Sequence, residues 1–270
     1  MSTVTEPRFE TGWLPSSPID DNLLRQFVHS QAVVNEITAT ALGGRTGRTD
    51  DVFLADTGGP IPYLNQAILT RPLTAAGDPA LATIESFFAP AAGAGRAATL
   101  LSPWPTPDLS TSGWSLVGHP AMVLRSPGRV THEPAPGVEI RTVSSADDFA
   151  IAERVAIEGY PLDEARGLPA RSLFPPALAG TELVVRLGVL DGDPVAVGNV
   201  VVAHGLVNLC LGATLPAARR RGVWEALVWS RVNAAPEVPA VAYTSDDSRP
   251  GFRRLGFLPI TRFTLWMRSR

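Results

Sequence analysis

Apolar positions along the chain fall into helical and alternating runs. Between Asn22 and Thr40, residues Leu23, Leu24, Phe27, Val33, Val34 and Ile37 lie on or near one side of a predicted helix. Asp51–Ala55, Tyr63–Thr70 and Ala98–Ser102 read as strands, with a helix over Pro79–Phe88 before the last. From residue 138 the pattern sharpens. Val138–Val143 is a predicted strand, and Asp147–Glu158 a helix with Ser144 or Ser145 as N-cap and acids in its first turn. Leu183–Leu190 and Pro194–Ala203 form a strand pair around Asp191-Gly192-Asp193, and His204-Gly205 turns the chain into Val207–Thr214. Trp224, Leu227, Val228 and Val232 place a helix over Val223–Ala234. A strand near Ala240–Thr244, a short helix near Pro250–Leu255 and a strand Thr261–Met267 follow. A meander followed by strand–helix–strand is α/β with mixed sheet pairing.

Ser126–Gly137 (SPGRVTHEPAPG) has no period and is rich in Pro and Gly, so it reads as a linker between residues 1–126 and 138–270. The two parts share an echo. SGWSLVGHPAMVLRS (Ser112–Ser126) parallels LGFLPITRFTLWMRS (Leu255–Ser269), each with a Gly-aromatic, a turn and an amphipathic strand. The repeat predicts two copies of one fold.

At 270 residues the chain suits two domains, and 45% hydrophobic residues suffice for real cores. All 23 basic residues are arginine, so a P-loop GK[ST], a Schiff-base lysine and a serine–lysine pair are excluded. The single cysteine, Cys210, excludes an internal disulfide and a cysteine-based zinc cluster. Histidines 29, 119, 132 and 204 show no ligand spacing, so no metal is expected. No apolar run approaches a membrane span, and MSTVTEPRFE lacks the basic and apolar regions of a signal peptide; a cytoplasmic protein without membrane contact is expected. Net charge is −3, yet residues 219–270 carry 10 Arg against 4 acids. Such a local field suits a small anionic ligand and is too limited for nucleic acid.

The strongest chemical signal is GATLPAARRRGVWEAL, Gly212–Leu227. A strand ends at Pro216, an arginine-rich loop follows, and Gly222 stands where a helix begins. A helix N-terminus offers free N–H groups and the positive end of the dipole to phosphate. Gly222 allows close backbone approach, and Arg219, Arg220 and Arg221 can add charge and hydrogen bonds. This segment resembles the acyl-CoA-binding motif Q/R-x-x-G-x-G/A of the GNAT superfamily of acyl-CoA N-acyltransferases, here Arg219-x-x-Gly222-x-Trp224. SDDSRPGFRRLGF (Ser245–Phe257) resembles the second motif of that family, and the order of elements from Val138 to Arg268 matches its fold.

The resemblance implies two GNAT-like α/β domains, each a mixed, mostly antiparallel sheet flanked by helices, with the C-terminal copy more intact. It implies acetyl-CoA or another acyl-CoA as cosubstrate along Ala213, Thr214, Leu215, Arg219, Arg220, Arg221, Gly222, Val223 and Trp224. A small-molecule amine would attack the thioester directly, with the N–H of Ala213 or Thr214 polarising the carbonyl. Two positions depart from the pattern. Trp224 replaces a small residue and either narrows the phosphate loop or turns into the core. Phe252 stands where the family has the tyrosine that protonates the leaving thiolate, which opens the alternative of a non-catalytic acyl-CoA-binding or assembly module. Glu158 and Glu182 are the first candidate bases, with His204 and Asp246 behind them, and Tyr243 is the candidate substitute acid. The N-terminal half has no comparable arginine–glycine loop, so its cofactor site reads as lost. The acceptor and the oligomeric state are not specified by any motif.

Overall fold

A computed structural model describes residues 21–268 except Pro161; the N-terminal decapeptide read above lies outside them. In chain order the elements are α1 (Leu23–Ala41), β1 (Arg45–Arg48), β2 (Val52–Asp56), β3 (Gln66–Leu69), α2 (Pro79–Gly93), β4 (Ala98–Ser102), β5 (Ser115–Gly118) and β6 (Ala121–Arg125). Then follow β7 (Val138–Thr142), α3 (Ala146–Gly159), β8 (Val184–Leu190), β9 (Asp193–Ala203), β10 (Leu206–Thr214), α4 (Val223–Val232), β11 (Ala240–Thr244), α5 (Arg249–Arg254), β12 (Leu258–Arg262) and β13 (Thr264–Arg268).

Two mixed, mostly antiparallel sheets result, each flanked by helices, as expected. One has the order β1-β2-β3-β4-β13-β5 and the other β12-β6-β11-β10-β9-β8-β7. Each contains one parallel pair, β3–β4 and β10–β11. α2 covers the first sheet through Leu81, Ile84 and Phe88 against Leu54, Leu69 and Leu100. α1 lies between the sheets, where Phe27, Val28 and Ala32 meet Phe53, Ile68, Leu206 and Val241. Asn22 caps α1, its Oδ1 accepting from the N–H groups of Leu24 and Arg25. α3 covers one face of the second sheet through Phe149, Ala152 and Val155, and α4 covers the other through Val228 and Val232. Among the described residues no helix is long and apolar enough to cross a membrane.

The repeated segments correct one expectation. The single strand read over Thr261–Met267 is two strands, β12 and β13, in different sheets. β5 and β6 divide in the same way. The first sheet thus receives β13 from the end of the chain, and the second receives β6 from before the linker. Both crossing points touch: Phe263 N–H donates to Pro120 O at 3.0 Å, and His119 Nδ1 lies 3.2 Å from Phe263 O. Two further elements differ from expectation. Pro62–Leu64 forms a 3-10 turn, which shortens the strand read from Tyr63 to Gln66–Leu69. α2 continues through Pro90 to Gly93, beyond the end read at Phe88.

Candidate active site

β10 and β11 run parallel and pair only at Val207↔Ala240, Asn208↔Val241 and Leu209↔Ala242. Beyond Leu209 they part. β10 carries a bulge between Cys210 and Gly212, with Leu211 at φ 39°, and its last residues pair only with β9. Cys210–Thr214 therefore present one edge without a strand partner, and Tyr243 is the first residue of β11 on the facing lip. Thr214 is buried, and its hydroxyl has no hydrogen-bond partner among the described residues.

The arginine-rich loop follows directly. Gly222 is the N-cap residue of α4 at φ 82°, a left-handed conformation that glycine adopts without strain, and no side chain caps the helix. A Cβ there would lie 3.0 Å from Ala135 Cβ. Val223 at the first helical position is buried. Arg219 is exposed, but its guanidinium folds back on the chain: Nε donates to Thr214 O at 3.2 Å and Nη2 to Gly159 O at 3.1 Å, tying the strand end to the end of α3. The fit there is close, since a Cβ on Gly159 would meet Thr214 C at 3.1 Å. Arg220 is exposed at φ 64°, and Arg221 pairs with Asp191 in the β8–β9 turn at 3.1 Å. Backbone groups, rather than the Arg219 and Arg221 side chains, are thus what the loop leaves open. Leu215 N–H is held by Val195 O at 2.8 Å, while Ala213 is buried. An open strand edge, an unpartnered buried hydroxyl and an uncapped helix start fit a phosphorylated ligand with amide groups in its arm, as acyl-CoA has.

Trp224 turns across the gap into the core. Its ring meets Phe252 edge to face at 5.2 Å and lies against Gly251, where a Cβ would come within 2.9 Å. Phe252 is buried and also packs on Phe257 at 5.0 Å. The site's other predicted groups are dispersed. Glu158 is exposed near the Thr214 end of β10 and pairs with Arg154 at 3.6 Å. Glu182 is exposed near the opposite end, within electrostatic reach of His204. Asp246 is exposed and held by Arg262 at 2.7 Å, with Arg249 at 3.5 Å. His204, at φ 51°, stacks at 5.3 Å on His29 in a tilted contact, and burial lowers its pKa.

Tyr243 is half-buried, and burial raises its pKa well above the ordinary phenol value, with Tyr160 adding to the effect. The Gln66 amide lies against its hydroxyl. Tyr160 is also raised, first by burial and then by Tyr63 and Asp247. The chain's three tyrosines therefore lie within electrostatic reach of one another. Gln66 belongs to a buried amide chain that sequence patterning did not reveal: Asn208 Nδ2 donates to Gln31 (3.3 Å), Gln31 to Asn35 (3.1 Å), Asn35 to Gln66 (3.2 Å), and Gln66 to Thr99 (3.2 Å). Only the rarity of tyrosine hinted at the cluster. A second residue missed in the sequence is Glu153, 4% exposed on α3. Its carboxylate accepts from Arg171 N–H at 2.7 Å, Leu173 N–H at 2.6 Å and Phe174 N–H at 2.8 Å, pinning the segment between α3 and β8.

No family model and no curated protein matches the sequence. Solved structures do. A GCN5-related N-acetyltransferase from Kribbella flavida superposes with TM-score 0.58 at 20% identity, covering 88% of this chain and 95% of that one. A conserved protein of unknown function from Staphylococcus epidermidis gives 0.61 at 11% identity, covering 88% and 99%. A GCN5-related N-acetyltransferase from Sphaerobacter thermophilus gives 0.53 at 14% identity, covering 76% and 73%. At these identities the likeness speaks for architecture, and by that measure this chain has the GNAT fold over most of its length.

Proposed function

We propose that the protein is an acyl-CoA-dependent N-acyltransferase that acetylates a small amine. One observation carries the reading. β10 leaves β11 at a bulge, and its open edge leads into a glycine-started helix whose first N–H groups no side chain caps. The acyl thioester lies along Ala213–Leu215, and the pyrophosphate meets the backbone of Arg219–Trp224. The amine nitrogen attacks the thioester carbonyl, the C–N bond forms, and the C–S bond breaks. The amine proton passes to water, and the leaving sulfur takes a proton from Tyr243. Tyr243 carries a phenol proton on the facing lip of the gap, where the Phe252 ring has none to give. Residues 138–270 hold the acyl-CoA site, and residues 1–126 supply Tyr63 and Gln66 to the acceptor side.

Free-thiol release with acetyl-CoA across a panel of amines tests the activity. Turnover with an amine supports it; coenzyme A binding with no turnover for any amine leaves an acyl-CoA-binding module instead. Calorimetric titration of coenzyme A into the native chain and Gly222→Glu tests the placement. The variant is expected to bind about 100-fold more weakly, because its carboxylate occupies and repels the phosphate position. Equal binding refutes the placement.

A further inference from the structure

Arg231 on α4 is 1% exposed and enters the second sheet from the α4 side. Three aligned positions make its seat. Arg186 on β8 is opposite Gly198 on β9, which is opposite Gly212 on β10. The two glycines leave a trough in the sheet face, and the Arg231 side chain fills it. A Cβ on Gly198 would lie 2.7 Å from Arg231 Cζ, and one on Gly212 would lie 3.5 Å from its Nη2. The guanidinium thus runs over β9 and ends beneath the open, bulged half of β10. Nη1 donates to Asn199 O at 3.3 Å and Cys210 O at 3.4 Å, and Nε donates to Leu227 O at 3.2 Å.

These carbonyls satisfy hydrogen bonds but not charge. Among the described residues neither Arg231 nor Arg186 has a carboxylate partner; the titratable groups that act on Arg231 are the Cys210 thiol, which burial pushes up to about 12, and the Arg186 guanidinium. Arg186 is anchored to α4 through Ser230 O at 2.7 Å, while its Nε is buried without a partner. Burying a cation without a counter-charge is costly, and an apolar side chain of similar length would fill the trough without that cost. Stability therefore does not account for an arginine here. What lies at its tip is the bulge where the strands part. The Cys210 carbonyl bound by Nη1 belongs to the peptide that opens the bulge, and a cation on that oxygen polarises the peptide.

Resting on the acyl-transfer reading above, we propose that Arg231 is a positioning residue of the acyl-CoA site. Its guanidinium fixes the bulge through the Cys210 carbonyl and holds a positive charge under the strand edge where negative charge develops on the thioester.

Arg231→Met and Arg231→Lys decide it, measured by thermal melting, coenzyme A calorimetry and thiol-release kinetics. The methionine variant is expected to melt at or above the native temperature and to bind coenzyme A within about threefold of native. Its kcat is expected to fall about 100-fold with little change in KM, the scale seen when one oxyanion-stabilising group is removed. Lysine, which keeps the charge and loses the fork, is expected to recover about tenfold of that loss. Native kcat in the methionine variant overturns this inference and leaves the acyl-transfer reading intact. A native chain without turnover overturns both. Should Arg231→Met fail to fold, Arg231→Lys decides alone: a kcat about tenfold below native at unchanged KM supports the inference, and a native kcat overturns it.

Discussion

The parallel strand pair occurs twice, and the loops that follow its first strand differ. β3 and β4 pair at Gln66↔Thr99, Ala67↔Leu100 and Ile68↔Leu101, and the chain crosses between them through α2. β10 and β11 pair over three positions too, and cross through α4. Before α2 stands Asp78, whose side chain is 1% exposed. Its carboxylate accepts from Thr74 N–H and Ala80 N–H at 2.9 and 3.0 Å and pairs with Arg71 at 2.8 Å. Before α4 stands Gly222, with no side chain to do any of this. The first loop contains its own anion. The second leaves the same position open, so one architecture can be sealed or made receptive by a single residue at a helix start.

The most direct way to break the comparison is to remove the internal anion. Asp78→Ala leaves Arg71 with Asp51 (2.7 Å) as its one remaining carboxylate and uncaps α2, and is expected to cost about 2 kcal/mol in urea unfolding. A loss below about 1 kcal/mol would mean the first loop is not sealed as described. Glu153 shows the second half spending its buried carboxylate on a loop instead. Glu153→Gln can still accept but leaves one of three N–H groups facing an amide NH2, at about 1–3 kcal/mol. Faster limited proteolysis within residues 164–179 than in the native chain is the expected readout.

Acid titration sharpens the contrast further. Arg71 beside Asp78 holds its carboxyl far below the usual value of 3.8. A depressed carboxylate stabilises the fold above its unfolded pKa, and that contribution is lost as pH falls below about 4. His29 has a separate window. Burial, then His204, Arg48 and Arg25, lower it from 6.5 to about 4. The unfolded chain binds the extra proton between these values, so stability falls as pH drops from 6.5 to 4. His29→Leu is expected to reduce the 4–6.5 slope, leaving the part that His204, also lowered by burial, contributes, and to leave the loss below pH 4. Equal slopes in the two proteins would contradict this assignment. The smallest effect is expected for Phe252→Tyr: unchanged or higher thiol-release turnover, with a stability loss of about 1–3 kcal/mol at most if the new hydroxyl finds no partner. Abolished turnover in a folded variant that still binds coenzyme A would show that Phe252 belongs to a reorganised pocket.

Much of the second half was readable because its elements carry strong periodicity. Ala240–Thr244 is bounded as the sequence implies, and Ser145 does cap α3, accepting from Asp148 N–H at 3.1 Å. β1 was not readable. Its residues, Arg-Thr-Gly-Arg, contain no apolar side chain, and the strand exists through its register with β2 and the Arg45–Asp56 pair. The division of 258–268 into two strands was hidden for another reason: alternation marks a strand without saying which sheet receives it. At the site, Gly222 and Tyr243 could be singled out because glycine at a helix start and a scarce phenol are local signals. Arg231 could not. Its place depends on Gly198 and Gly212, which become neighbours only through strand register.

The exchange of strands also sets an order of events during synthesis. Ser102 in β4 is opposite Thr264 in β13, so the first sheet stays open on that side until the last strand has left the ribosome. During that interval β4 exposes an unpaired apolar edge, the kind of surface that invites pairing with another chain. Long-range closure of this sort also slows folding. A premature stop after β12 would therefore leave a gap between β4 and the edge strand β5, while every residue of the proposed acyl-CoA site had already been translated.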